Sequence, residues 1–274
     1  MPRGAWIENR PSRGWGRIDL DELWRYRELI VFLARRDLTV RYKQAAFGAL
    51  WSVLQPLAGA LTFTFVFRRL ADVPSDGIDY PVFAYLGFMA WAYVTSGITS
   101  ATESLVTNIN LVTKVYFPRI AAPIAALLPG LVDLAVSSVA LAAFMVVFGV
   151  APGPQLVFAP LFVVALVAIV FGVGLVLATL HVKYRDARHA TGLLLQLWLF
   201  VSPIAYPASL VSDTWREVYA LNPVVGAVGG LRWAVLDGPF PGNDLLFGGI
   251  TTAVLVGAGI VTFARAERRF ADVI

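Results

Sequence analysis

The chain contains no cysteine. Disulfides, thiolate metal sites, iron–sulfur clusters and a lipoprotein anchor are thereby excluded. Two histidines, His181 and His189, are too few for a histidine-rich metal site. Charge is scarce as well: 15% of residues are Asp, Glu, Lys or Arg, against about 25% in a typical soluble domain. No Gly-x-x-x-x-Gly-Lys-Ser/Thr phosphate loop occurs, so any ATP the protein uses must be bound by another subunit. The first 28 residues hold no apolar core, and no cleavable signal peptide is expected.

What the sequence has in excess is apolar surface. Of 274 residues, 58% are hydrophobic, and the mean hydropathy is +0.71. A water-soluble fold of this size cannot bury so much, so the remainder must face lipid. A soluble enzyme, a nucleic-acid binder and a disordered protein are all disfavoured. The net charge of +4 does not argue for a nucleic-acid partner, because the positive residues sit beside apolar segments.

The uncharged stretches set the layout, since a spanning helix needs about 20 mostly apolar residues. Candidates are Ala49–Phe67, Tyr80–Thr102, Ile120–Phe148 (interrupted only by Asp133), Gln155–Leu180, a span within Ala190–Ser212, and Leu245–Ala264. The segments are long and lack alternating polarity, which argues against a β-barrel. The expected fold class is therefore an all-α integral membrane protein with six transmembrane helices. With six spans, one side receives the N-terminus, the 103–119 loop, the 181–189 loop and the C-terminal tail. These hold 10, 2, 3 and 3 Lys and Arg residues, 18 of the 22; the other side keeps Arg68, Arg69, Arg216 and Arg232. Basic loops stay cytoplasmic, so both termini are predicted inside. The two halves show no hydropathy repeat, which gives an inverted-repeat transporter no support.

Two regions fall outside a simple span count. Residues 19–47 mix Leu23, Trp24, Ile30 and Phe32 with Arg25, Arg27, Arg35 and Arg36. They read as an N-terminal amphipathic interface helix, the alternative being a solvated helix that packs on a partner. Residues 202–244 are too long and apolar for an exterior loop, and Pro203, Pro207 and Pro223 break them into pieces too short to span. They are expected to form short re-entrant or gate helices on the outer face, because broken helices at membrane depth must be buried in protein or line a cavity. Residues 1–18 are expected to be a flexible cytoplasmic tail, and 48–274 the six-helix transmembrane permease domain.

Two ionisable features call for chemistry. Asp133 is the one ionisable residue deep in a span, so it must face the bundle interior, a partner or water. It reads either as a proton or cation site or as a buried structural polar group, bonded to Ser or Thr or paired with an arginine such as Arg232. His181 and Asp186 have the H-x-x-x-x-D spacing of membrane glycerolipid acyltransferases, with His as base and Asp as its orienter, but the expected second block is missing.

Residues 41–56 read Arg-Tyr-Lys-Gln-Ala-Ala-Phe-Gly-Ala-Leu-Trp-Ser-Val-Leu-Gln-Pro. This resembles the start of the first span in type-2 ABC exporter permeases that move O-antigen, teichoic acid or galactan. Asn108–Lys114 running into Phe117-Pro118-Arg119, Tyr184-Arg185-Asp186, Ser202-Pro203-Ile204 and Leu221-Asn222-Pro223 agree in order and spacing. Ala45-Ala46-Phe47 departs mildly from the family's usual small polar residue and Leu. The resemblance implies a homodimer in the bacterial inner membrane, joined to two cytoplasmic ATPase subunits that bind ATP and Mg. This chain is then not an enzyme and binds no cofactor. The cargo would be a polyprenyl-diphosphate-linked glycan. By the same resemblance, Asn108, Leu111, Lys114, Phe117, Tyr184, Arg185 and Asp186 would couple to the ATPase. Arg35, Arg36, Arg41 and Lys43 would meet the lipid diphosphate, or serve only as positive-inside anchors. Aromatic rings can stack on sugars, and Phe88, Trp91, Tyr93, Trp198, Phe200 and Tyr206 are the channel candidates. A sibling permease for a drug or another lipid is the alternative within transport, and an acyltransferase the alternative outside it.

Overall fold

In the computed structural model, residues 20–43, 47–115, 117–184 and 186–273 are described. The expected tail, residues 1–18, and Arg185 lie outside them. All regular elements among the described residues are helices. They are α1 (Leu20–Arg25), α2 (Arg27–Lys43), α3 (Leu50–Phe63, continued by a π-helical turn Thr64–Leu70), α4 (Tyr80–Thr107), α5 (Ile109–Lys114), α6 (Ala121–Val147), α7 (Ala159–Lys183, preceded by a 3-10 turn Pro154–Phe158), α8 (Ala187–Phe200), α9 (Asp213–Ala220), α10 (Pro223–Leu236) and α11 (Asn243–Val273).

Five helical stretches are long and apolar enough to cross a bilayer: Leu50–Leu70, Tyr80–Thr107, Ala121–Val147, Pro154–Lys183 and Asn243–Glu267. Each matches an uncharged stretch of the sequence. Their ends follow from local chemistry. Pro81 stands in the first turn of α4, where its missing N–H has no helical partner to lose. Gly149, at φ +68°, turns the chain out of α6. Asn222 caps α10 by accepting from the Val224 N–H at 3.2 Å, with Pro223 next in line.

The expected continuous span within Ala190–Ser212 is not formed. α8 has 14 residues, about 21 Å at 1.5 Å per residue, short of a hydrocarbon core of about 30 Å. The reason is local: Pro203 has no N–H to donate and disfavours helix at the residue before it. Contacts with α4 show how far the chain nevertheless travels. Arg188 pairs with Glu103 at 2.8 Å, and the Tyr80 hydroxyl donates to the Ala205 carbonyl. The seventeen-residue step from 188 to 205 thus runs alongside the twenty-three residues of α4 from 103 back to 80. That helical stretch of α4 is about 34 Å long, and the residues after Phe200 meet its outer end through turns, Ser202 N–H donating to the Leu199 carbonyl and Ile204 N–H to the Ser202 carbonyl.

α4 is the axis of the bundle. It packs against α3, α6, α7, α8 and α10, and α7 packs in turn against α11 and α10. Most of α4's apolar length is buried, whereas α3 and α11 lie at the flanks with large apolar faces open. The main core is built from Tyr85, Leu86, Trp91 and Val94 of α4, Leu166 and Ile169 of α7, and Val224 and Val228 of α10. Close backbone approach is bought by glycine where α7 meets α11: a Cβ on Gly172 would lie 2.8 Å from the Val256 nitrogen, and one on Gly259 2.6 Å from the Gly172 oxygen. A second, smaller cluster joins Leu105, Phe117, Ile120, Ala121, Leu175 and Phe263, with Leu29, Ile30 and Val182 packed on it. It gathers α2, the α4–α6 connection, the end of α7 and the end of α11. The described parts of the four basic segments therefore share one end of the bundle.

Candidate functional site

At that shared end, α5 is a six-residue helix carried between α4 and α6. Asn108 closes α4: its Nδ2 donates to the Ser104 carbonyl at 2.8 Å, and its own carbonyl accepts from Leu111 N at 2.9 Å. Its Oδ1 is buried without a partner. Lys114 projects into the open, Leu111 is half-buried against the small cluster, and Phe117 is buried within it. Of the expected coupling residues, Lys114, Tyr184 and Asp186 are thus presented at the surface, while Asn108 and Phe117 are packed as supports. Two cross-links tie the end together: Glu103 of α4 with Arg188 of α8, and Arg119, whose backbone N–H donates to Glu267 Oε1 at 3.0 Å while its guanidinium donates to the Glu267 carbonyl. These links join α4 to α8, and the connection between α5 and α6 to α11.

Asp133 lies halfway along α6, and its partners come from 91 and 92 residues away in sequence: the Tyr42 hydroxyl donates to one carboxylate oxygen and the Arg41 guanidinium to the other. Asp133 is thus paired with an arginine, but the arginine is Arg41 and not Arg232, the example the sequence offered. α2 packs along α6, which carries its C-terminal residues to Asp133, whereas Arg232 belongs to α10 and donates to the Pro203 and Ile204 carbonyls at 2.6 and 2.7 Å. The Arg232 guanidinium also lies 3.5 Å from the Phe83 ring centroid. It is buried and pins the non-helical segment after α8, satisfying carbonyls that a broken helix frees. Asn222 assists by donating to Val201 O and Ser202 Oγ, both at 2.9 Å. Sequence reasoning missed this clamp, although Arg232 is the one charged residue between Pro223 and Leu236.

Of the other expected diphosphate contacts, Arg35 and Lys43 are exposed and Arg36 pairs with Asp37 at 2.6 Å. The aromatic candidates separate into three groups. Phe88 packs on Phe63, ring centroids 5.0 Å apart. Trp91 and Trp198 meet edge to face at 5.9 Å, with Trp198 Nε1 donating to Asn222 Oδ1 at 2.9 Å. Tyr206 accepts from the Tyr219 hydroxyl at 3.2 Å and donates its own to the Phe200 carbonyl at 2.9 Å, and burial followed by the first bond pushes the Tyr219 phenol above its ordinary pKa, so it stays protonated. Phe200 is exposed and Tyr93 is buried. His181 Nδ1 is buried without a partner, Asp186 is exposed, and among the described residues no bond joins the two. The acyltransferase constellation is not assembled.

A cavity of about 290 Å³, lined by both polar and apolar side chains, lies among α2, α3, α4 and α6 beside the Asp133 pair. No cluster of three or more metal-ligating side chains occurs among the described residues.

The chain matches the model of the ABC-2 type transporter family over residues 28–236. It is 26% identical, over 90% of its length and 95% of the relative's, to the O-antigen export system permease protein RfbA of Klebsiella pneumoniae. To the protein of the same name from Myxococcus xanthus it is 28% identical, over 92% of its length and 97% of the relative's. With five apolar helices of spanning length and a family match over most of its residues, the chain is a multi-pass membrane protein belonging to the ABC-2 type transporter family.

Proposed function

We propose that this chain is the permease subunit of a bacterial inner-membrane exporter for a lipid-diphosphate-linked polysaccharide. It acts as a homodimer with two separate ATP-hydrolysing subunits, and both termini are cytoplasmic. The observation that carries the reading is similarity to O-antigen export permeases along nine-tenths of the chain. Two physical features support it. The basic segments share one end, as a cytoplasmic face requires. The 187–207 segment runs the length of α4, so it counts as a sixth crossing, broken near its outer end and capped by α9 and α10. ATP binding and Mg belong to the partner subunit, which docks on α5, Tyr184 and Asp186. Apolar residues left open on α3 (Trp51, Leu61) and α8 (Leu194, Leu197) suit a second copy. Whether the glycan is of O-antigen, teichoic acid or galactan type is a matter of the sugars that line up along the path.

The test is deletion in the native bacterium. Surface glycan should disappear and lipid-linked glycan accumulate inside; the wild-type chain should restore export only with a hydrolysis-competent partner ATPase. Unchanged surface glycan in the deletion strain refutes the assignment.

A further inference from the structure

α9 has eight residues, too few to span, and two unlike faces. At about 100° per residue, Trp215, Val218 and Leu221 (the residue that ends the helix) fall in one stripe about 120° wide. Trp215 is 64% exposed, Val218 59% and Leu221 50%. Leu210, just before α9, is open as well. Ala220 points about 160° away from Val218 and is 2% exposed. Arg216 also turns toward the protein, donating to the Ala208 carbonyl and to Asp244 Oδ2, the latter at 2.8 Å. Asp213 and Glu217 are exposed beyond one edge of the apolar stripe. α9 is thus fastened by one face, and no described residue covers the other.

The depth of α9 is set by its partner Asp244. That residue is the second of α11, whose spanning stretch runs from Asn243 to Glu267. α9 therefore lies where a spanning helix begins, at the end away from the basic segments. Aromatic rings mark the same level. Phe240, just before α11, packs on Trp233 with centroids 5.1 Å apart, and Trp233 stacks at 5.6 Å on Phe158, just before α7. Phe158 and Phe240 are both exposed, as rings of an interfacial belt are. Further along α11, Leu246, Ile250 and Val254 are open at a spacing of four, which puts them on one face. α9 packs on α11, so its stripe carries that apolar surface up to the headgroups. We propose that α9 is an interfacial anchor whose Trp215–Val218–Leu221 stripe lies in the headgroup layer of the leaflet opposite the basic segments, with the phospholipid surface as its partner. The exposed charges beside the stripe are acidic, so apolar burial and not attraction to anionic lipid holds it, and zwitterionic headgroups suffice. The inference stands on the spans and is independent of the cargo.

The cysteine-free chain makes the test direct. Val218→Cys and, separately, Trp215→Cys are placed in the full chain, assembled with its ATPase partner in nanodiscs of phosphatidylcholine alone, and labelled with bimane. Emission is quenched by phosphatidylcholine carrying a nitroxide at the headgroup, at a shallow acyl position or at a deep one, and by iodide in the water. Glu217→Cys and Ile250→Cys are the references. Both stripe positions should be quenched by the headgroup and shallow nitroxides, resist iodide, and read a depth of about 5–10 Å into the boundary of headgroups and acyl chains. The label at 217 should answer to iodide. The label at 250, six residues past Asp244 on α11, should read about 9 Å deeper than the level of Asp244. Strong iodide quenching of both stripe positions without quenching by lipid puts α9 in water and overturns the proposal. Shielding of both from iodide and lipid alike, with the label at 250 still quenched by lipid, puts the stripe under a second copy or the cargo and overturns it as well.

Discussion

A methyl group added at Gly87 tests the clamp on the break after α8. A Cβ there would lie 2.3 Å from the Ile204 carbonyl oxygen and 2.8 Å from Arg232 Nη2. Carbon and oxygen rest at about 3.3 Å or more, so Ile204 must retreat by about 1 Å. That carbonyl accepts from Arg232 at 2.7 Å, and the bond is lost or badly bent. A hydrogen bond to a charged group is worth about 1.5–3 kcal/mol. Replacing glycine by alanine in a helix returns about 0.8–1 kcal/mol. The net loss is about 1–2 kcal/mol, which for a chain of this size lowers Tm by about 2–8 °C. Gly257→Ala is the control, because nothing lies within 4 Å of a Cβ there; only the helix gain remains, and Tm should hold or rise. Both variants are compared with wild type by thermal unfolding in nanodiscs, followed through tryptophan fluorescence. A Tm for Gly87→Ala equal to that of Gly257→Ala would refute the claim that α4 and the 203–205 segment are held in contact by Arg232.

Single cysteines at Asp76 and Asp213 should label from outside intact cells and those at Lys114 and Arg188 should not; external labelling at 114 sinks the orientation. Lys114→Glu should leave protein level normal while separating ATP hydrolysis from glycan export, since Lys114 is exposed on α5. Phe117→Ala should instead reduce protein abundance, because truncating a buried Phe costs about 3–5 kcal/mol; equal abundance with selective uncoupling would place Phe117 on the docking surface. Trp91→Ala and Trp198→Ala should be non-additive in stability by about 1 kcal/mol, the value of an aromatic pair, and a strictly additive cycle would deny their contact a role. His181→Ala should leave export near wild type, whereas complete loss at normal abundance would revive the acyltransferase alternative.

The five spans of full length were legible in the sequence because each holds a long run almost free of charge, and entry into the membrane depends on that composition. The sharing of one end by the basic segments was legible too, since the charge asymmetry of loops alternates with the spans. The short length of α8 was harder to read: Pro203 marked a break, but how far the chain extends beyond it depends on its contacts with α4. The site was least legible. Asp133 announced that it needed a partner, and the sequence offered Ser, Thr or an arginine such as Arg232 without deciding among them. The partners are Arg41 and Tyr42, because packing of α2 along α6 brings together groups 91 and 92 residues apart, and no local pattern encodes that distance. The same holds for Trp91 meeting Trp198 and for Arg232 meeting the carbonyls of 203 and 204. Hydrophobic runs are local properties of a chain and decide which segments enter the membrane. Which polar group satisfies which inside it is decided by how the helices pack, where every unpaired donor or acceptor is costly and only tertiary geometry supplies the match.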